Sequence, residues 1–180
     1  MSLRKVPSPA RLLVSIIYRQ ERDFERSLRR ITERMGAVGR VSDPFPFDRT
    51  DYYEREMGSP LYRRLLLLGD AVSRDGLAAT KLAAESIEKE FSIHGKRTVN
   101  IDPGLLAEEN LVLATGKNYS HRIYLRDGVF ADLTLVFEKG EYRALPWTYP
   151  DYASTEVRTF LTGLRRELRE AGKPSGRGDS

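Results

Sequence analysis

Residues 62–104, YRRLLLLGDAVSRDGLAATKLAAESIEKEFSIHGKRTVNIDPG, decide the fold. The run YRRLLLLGDAV is short and apolar, with Gly69 and Asp70 near its end, and predicts a strand. The next segment, DGLAATKLAAESIEKEF, is Ala-rich and repeats Leu77, Thr80, Ala84, Ile87 and Phe91 at helical spacing. It predicts a helix with that stripe turned inward. KRTVNIDPG then reads as a strand closed by a turn at Pro103-Gly104, because proline has no N–H to give to a ladder.

Upstream lies a first strand–helix–strand set. RLLVSIIYR is β-branched and apolar throughout, the pattern of a buried strand. ERDFERSLRRITERMG puts Phe24, Leu28, Ile31 and Met35 on one helical face, with Asp23 near its start and Gly36 as its stop. AVGRVSDPFPF is extended until Pro44 and Pro46 interrupt it. The resulting order, β-α-β-β-α-β, places the chain in the α+β class with a ferredoxin-like core. Downstream, LLAEENLVLATGK fits a helical turn feeding a short strand. Antiparallel hairpins then turn at Arg126-Asp127-Gly128 and at Lys139-Gly140. A C-terminal helix shows Val157, Phe160, Leu161, Leu164 and Leu168 on one face, with Ser154 or Thr155 as its cap.

If residues 126–128 form a three-residue loop, Leu125 opposes Val129, Ile123 opposes Ala131 and Arg122 opposes Asp132. That register gives one apolar face of Ile123, Leu125, Val129, Ala131 and Leu133, with His121 at its rim. The other face carries Arg122, Tyr124, Phe130, Asp132 and Thr134. This second face reads either as a half-wet surface or as the floor of a pocket in which Asp132 steadies the Arg122 fork against an anion.

A chain of 180 residues with 40% hydrophobic composition suits one domain with a sizeable core. The expected division is an arm over residues 1–10, a domain over 11–172 and a polar tail over 173–180 that ends in RGDS. The net charge is +4, but most of the excess lies in the arm and the tail, which argues against a broad footprint for duplex nucleic acid. With no cysteine, disulfides, thiolate nucleophiles and Cys-based metal sites are ruled out. The apolar run Leu12–Ile17 is too short for a membrane span and reads as a strand rather than a leader, so a cytoplasmic location is expected.

Ionisable and aromatic chemistry concentrates in FPFDRTDYYEREMG, residues 45–58. Asp48 and Glu54 there are candidate metal ligands, Asp51 a candidate catalytic base and Tyr52 a ligand contact; the same acids also fit a helix start capped by Thr50 or Asp51. Asn100 and Asp102 lie two apart on one side of a strand, which makes Asp102 a second candidate base beside the plain reading of turn chemistry. ATGKNYS is not a phosphate loop, since Leu111 occupies the position of the first glycine and Asn118 that of the Ser/Thr. Lys117 in it can still meet a phosphate. Of the two histidines, His121 is the better acid, base or ligand, and Trp147, between two prolines, reads as a core plug. Oxygen and imidazole donors of this kind suit magnesium or manganese, though no spacing fixes a metal site.

The segments FPFDRTDYYEREMG, GKRTVNIDPG, LVLATGKNYSHRIYL and PWTYPDY, in this order, resemble the bacterial and archaeal DUF4416 family over nearly the whole chain. The resemblance implies a cytoplasmic single-domain protein and brings no activity, cofactor or catalytic residue with it. The residues themselves favour a site for an anionic, phosphate-bearing small molecule or nucleotide, including a metal-assisted hydrolase or transferase. In that reading Asp51, Asp102 and His121 carry chemistry, Tyr52, Lys117, Arg122 and Asp132 hold the ligand, and Asp48 and Glu54 hold a metal. A single-stranded nucleic-acid module, stacking bases on Tyr124, Phe130 and Tyr142, is one alternative. A protein-interaction domain anchored by Trp147 is another.

Overall fold

The first strand is apolar at nearly every position because the sheet it belongs to is covered on both faces. The structure, a computed structural model, describes residues 3–171. In chain order the elements are β1 (Ala10–Tyr18), α1 (Glu21–Met35), β2 (Val38–Val41), β3 (Phe45–Pro46), α2 (Glu54–Met57), β4 (Tyr62–Val72), α3 (Leu77–Glu90), β5 (Ser92–Ile93), β6 (Lys96–Arg97), β7 (Val99–Leu106), β8 (Asn110–Thr115), β9 (Arg122–Arg126), β10 (Val129–Glu138), β11 (Glu141–Ala144) and α4 (Thr155–Ala171). Nine strands form one sheet in the order β11-β10-β8-β7-β1-β4-β2, with β3 beside β4 and β9 beside β10, and every pairing is antiparallel. Among the described residues four α-helices complete an α+β architecture.

The two faces of β1 separate the core. Leu12, Val14, Ile16 and Tyr18 pack with Phe24 and Ile31 of α1 and with Ala84 and Ile87 of α3. Leu13 packs on the opposite face with Leu65, Leu67, Leu106 and the α4 residues Val157, Leu161 and Leu164. Each helix therefore buries the stripe its sequence period predicted. Gly36, at φ 115°, ends α1 where an L side chain would be strained.

Three sequence expectations change. Pro103-Gly104 does not end its strand: β7 runs on to Leu106, paired with β1 from Tyr18↔Val99 to Arg11↔Leu106. LLAEENLVLATGK is not a helical turn; its first residues finish β7 and a tight connection leads straight into β8. The β9–β10 loop is a two-residue turn at Asp127-Gly128, both at positive φ, so Arg126 opposes Val129 and Leu125 falls at an irregularity. Ile123↔Ala131 and Arg122↔Asp132 pair as expected, but burial does not follow the two faces: Ile123 is 70% exposed although Val129 is buried, and Asp132 and Thr134 are buried although Tyr124 is exposed. A further irregularity between Leu133 and Leu135, where β10 meets β8, shifts the alternation and buries both Thr134 and Leu135. The residues expected to form the tail, 173–180, including RGDS, lie outside the described residues. Among the described residues no helix is long and apolar enough to cross a membrane.

Candidate functional site

The site arises where the sheet splits. Strand β7 pairs with β8 only at Gly104↔Leu113, Leu105↔Val112 and Leu106↔Leu111. Beyond Gly104, β7 stays with β1 and β8 stays with β10, while the two part from each other. The edge this exposes on β7 is met by the helix above it. Glu88 Oε1 accepts the Ile101 N–H at 2.5 Å, and Lys81 Nζ reaches the Ile101 carbonyl at 3.4 Å, so two α3 side chains stand in for the missing strand. In an antiparallel strand alternate residues turn their backbone groups to the same side, so Pro103 faces this edge as Ile101 does. It has no N–H to offer there. At Gly104 the strands are still close: an added Cβ would stand 2.8 Å from the Val112 carbonyl oxygen.

A cleft of about 840 Å³ occupies the split, walled by β7 and α3 on one side and by β8, the loop after it and residues 149–152 on the other. That volume is in the range of small-molecule sites. Its floor is a chain of paired charges. Lys81 Nζ donates to Asp102 Oδ1 at 2.9 Å and Asn100 Nδ2 to Asp102 Oδ2 at 2.7 Å. Arg97 donates to Asn100 Oδ1 at 2.9 Å and binds both oxygens of Glu56, at 2.9 and 2.8 Å. Arg63 lies between the Phe47 and Tyr152 rings, 4.9 and 4.5 Å from their centroids, and pairs with Asp151.

These partners set the charges. Burial alone would raise the Asp102 carboxyl, but Lys81 and the Asn100 amide outweigh it and hold it below its ordinary value. Burial would lower Lys81, and Asp102 and Glu88 outweigh it in turn, so the ammonium is held above its ordinary value. Glu88 is different: burial dominates and its carboxyl is raised, despite the Ile101 N–H and Lys81. Burial also pushes the Tyr152 hydroxyl up to about 12. Asp102 is recessed among protein groups, yet its side chain keeps 28% of its accessible area because it opens on the cleft.

The opposite wall carries Lys117 and Arg122. Arg122 Nε donates to Asp132 at 2.8 Å, Nη1 to the Lys117 carbonyl at 3.0 Å and Nη2 to the Tyr149 hydroxyl at 2.9 Å. Each guanidinium nitrogen is therefore engaged, and Arg122 fixes the Lys117 loop rather than standing free for an anion. Lys117 Nζ lies 4.2 Å from the centroid of the Tyr52 ring and bonds the Tyr52 hydroxyl. Arg49, Lys89 and Lys117 line the cleft with no carboxylate within salt-bridge distance among the described residues.

Of the residues expected at a site, Tyr52, Asp102, Lys117, Arg122 and Asp132 line this one cleft. Asp48, Asp51 and Glu54 are exposed and outside its lining. Among the described residues no three His, Asp or Glu side chains are grouped to hold a metal ion. His121 stands behind the wall, its Nε2 3.3 Å from Asp132 Oδ2 and its ring stacked on Trp147 at 4.9 Å. Trp147 is no core plug: it is 39% exposed and donates Nε1–H to the Leu133 carbonyl at 2.8 Å. Sequence reasoning passed over Lys81, Glu88, Arg63 and Arg97. A signal existed for the first two, since Leu77, Lys81, Ala84 and Glu88 recur at helical spacing and place two charges on the inward stripe of α3.

The family model described as a domain of unknown function (DUF4416) matches residues 8–168. Neither the curated proteins nor the solved structures yield a match. The chain belongs to the DUF4416 family.

Proposed function

We propose that this DUF4416 protein binds an anionic, phosphate-bearing small molecule in the cleft between β7 and β8. The observation that carries the reading is the contrast between a floor whose charges are paired and three lining cations, Arg49, Lys89 and Lys117, that lack a carboxylate partner among the described residues and outnumber the one unpaired lining carboxylate, Glu85. Unpaired cations on a cleft with low-dielectric walls focus a positive field and raise the local concentration of anions. The lining as a whole contains seven cationic and five acidic side chains, which agrees in sign. Lys117 is the central contact, because the Arg122 bond to its carbonyl and the Tyr52 ring beside its ammonium hold it in place.

The reading is one of binding. A metal-assisted hydrolase or transferase step is not built on Asp48, Asp51 and Glu54, which stand away from the cleft. The nucleic-acid alternative loses support because Tyr142 is buried and α4 covers part of the face on which bases would stack. We read β7-β1-β4-β2 with α1 and α3 as a ferredoxin-like unit within one domain over 11–172, which the antiparallel order of these strands supports. A phosphate-bearing metabolite also suits the cytoplasmic location expected from the sequence.

A ligand that binds only the folded state raises its apparent stability. A thermal-shift panel of phosphate, pyrophosphate, sugar phosphates and nucleotides is therefore expected to raise Tm for at least one phosphate compound, with the shift lost in Lys117→Ala. Silence across the phosphate compounds, or a shift that Lys117→Ala leaves intact, would overturn the reading.

A further inference from the structure

Asp102 gives the cleft a second pole. A carboxylate has about four acceptor positions. Asp102 accepts one hydrogen bond at each oxygen, from Lys81 and from Asn100, and its side chain keeps 28% of its accessible area on the cleft, so it has acceptor capacity left there. A phosphate would be repelled there. A hydroxyl or amino group would be bound, and more strongly than by a neutral acceptor, because the carboxylate is ionised.

The two poles lie on segments that part at the split. Extending the β7–β8 register from Gly104↔Leu113 would set Asp102 opposite Thr115 and Asn100 opposite Lys117. The split leaves these would-be neighbours unpaired, with the acceptor on β7 and one of the three unpaired cations, Lys117, on the loop after β8. A volume of about 840 Å³ is far more than one oxyanion needs, and Tyr52, Tyr53 and Tyr149 supply apolar surface to the lining.

Resting on the phosphate-binding reading, we infer that the ligand is bipolar: a phosphate monoester of a polyol, with its phosphate at Lys117 and its hydroxyl end donating to Asp102. A free sugar phosphate and the ribose phosphate of a nucleotide share this chemistry. Inorganic phosphate and pyrophosphate lack the second end and engage only the cationic pole.

The test is isothermal titration of the full chain with pyrophosphate, ribose 5-phosphate, a nucleoside monophosphate and the corresponding unphosphorylated nucleoside. Ribose 5-phosphate or the nucleotide is expected to bind at least about 10-fold tighter than pyrophosphate, the equivalent of one hydrogen bond to a charged group. Asp102→Asn, which keeps the shape and an acceptor for Lys81, is expected to remove that advantage; because it leaves Lys81 without its carboxylate, it does not weaken pyrophosphate binding. If the nucleotide alone shows the advantage, the polyol is read as part of a nucleotide; if both esters show it equally, the sugar phosphate suffices. Either result supports the inference. Pyrophosphate binding as tightly as both esters in the native protein, or an ester advantage that survives Asp102→Asn, overturns the bipolar ligand while leaving the phosphate site standing. Absence of binding by every phosphate compound overturns both. Should Asp102→Asn not fold, the ratio of ester to pyrophosphate affinity in the native protein decides alone.

Discussion

The two edges of β7 differ in everything but the strand they share. On the β1 edge it is paired at eight positions, from Val99 to Leu106. On the β8 edge it is paired at three, and the rest is met by the side chains of Lys81 and Glu88 or faces the cleft. A backbone edge left without a strand must still have its polar groups satisfied. When side chains do this instead of backbone, the edge acquires charge and space. One edge thus anchors the strand in the core and the other makes a site, and four variants sharpen or break that division.

The largest effect is expected from Lys81→Met. It leaves Asp102 recessed without its cation, and breaking such a pair by removing one partner costs about 3–5 kcal/mol, readable by urea denaturation. The loss has a pH window. Asp102 is depressed when folded, so its contribution is present above its ordinary 3.8 and fades as pH falls through the lower folded value. Lys81 is raised, so its contribution is complete below its ordinary 10.5 and fades as pH rises through the higher folded value. The difference between native and variant should shrink below the lower limit and above the upper one, and between them change only where Glu88, whose carboxylate Lys81 also favours, titrates; a difference independent of pH throughout would remove the ion pair from the account of this edge.

Gly104→Ala comes next, at about 1–3 kcal/mol, because the added methyl meets β8 backbone at the last paired position and the strands must part earlier. Unchanged stability would show that the branch point yields freely. Glu88→Gln should be mildly stabilising at neutral pH. Its raised folded value means that the carboxylate costs stability above that value, and glutamine keeps an oxygen for the Ile101 N–H. The gain should begin to decline as pH falls through the raised value and vanish below the ordinary 4.5, and a variant less stable than the native protein at pH 7 would show that the charge is needed. Smallest is Lys117→Ala, within about 0.5 kcal/mol in stability because the side chain is exposed, while the binding of phosphate compounds is lost. A stability loss as large as that of Lys81→Met would make the cleft wall part of the core instead.

Much of this division was legible in local pattern. The long strands, the two long amphipathic helices ahead of β7, and both β10 hairpins follow from periodicity and turn chemistry; Asp102 and Lys117 stand out beside turns, and Arg122 and Asp132 as a cross-strand pair. Pro103-Gly104 carries only half of its meaning in local sequence. It ends the ladder on one edge only, and nothing in local sequence says which edge. The parting of β7 from β8 depends on register between segments distant in the chain, and so does the role of the residues it gathers. Lys81, Glu88, Arg63 and Arg97 look like ordinary helix and strand charges until that register is known. Asp48, Asp51 and Glu54 erred the other way: a dense cluster of acids drew attention, while their exposure left them apart from the cleft. Ile123 and Leu125 stay exposed although Ile123 pairs with Ala131 as expected, because β9 lies off the main strand path and local alternation does not say whether a face is covered.

The stack of Trp147 on His121 has an optical consequence. Trp147 is the chain's one tryptophan, so the protein's indole emission is a signal from a single place. That place is joined to the cleft by consecutive contacts, from Trp147 to His121, from His121 to Asp132 and from Asp132 to Arg122, whose other nitrogens hold the Lys117 loop. A compound that displaces this loop or draws on Arg122 alters the surroundings of the indole, so occupancy of the cleft can be read as a change in intrinsic fluorescence, without a label and without knowing in advance what the occupant is.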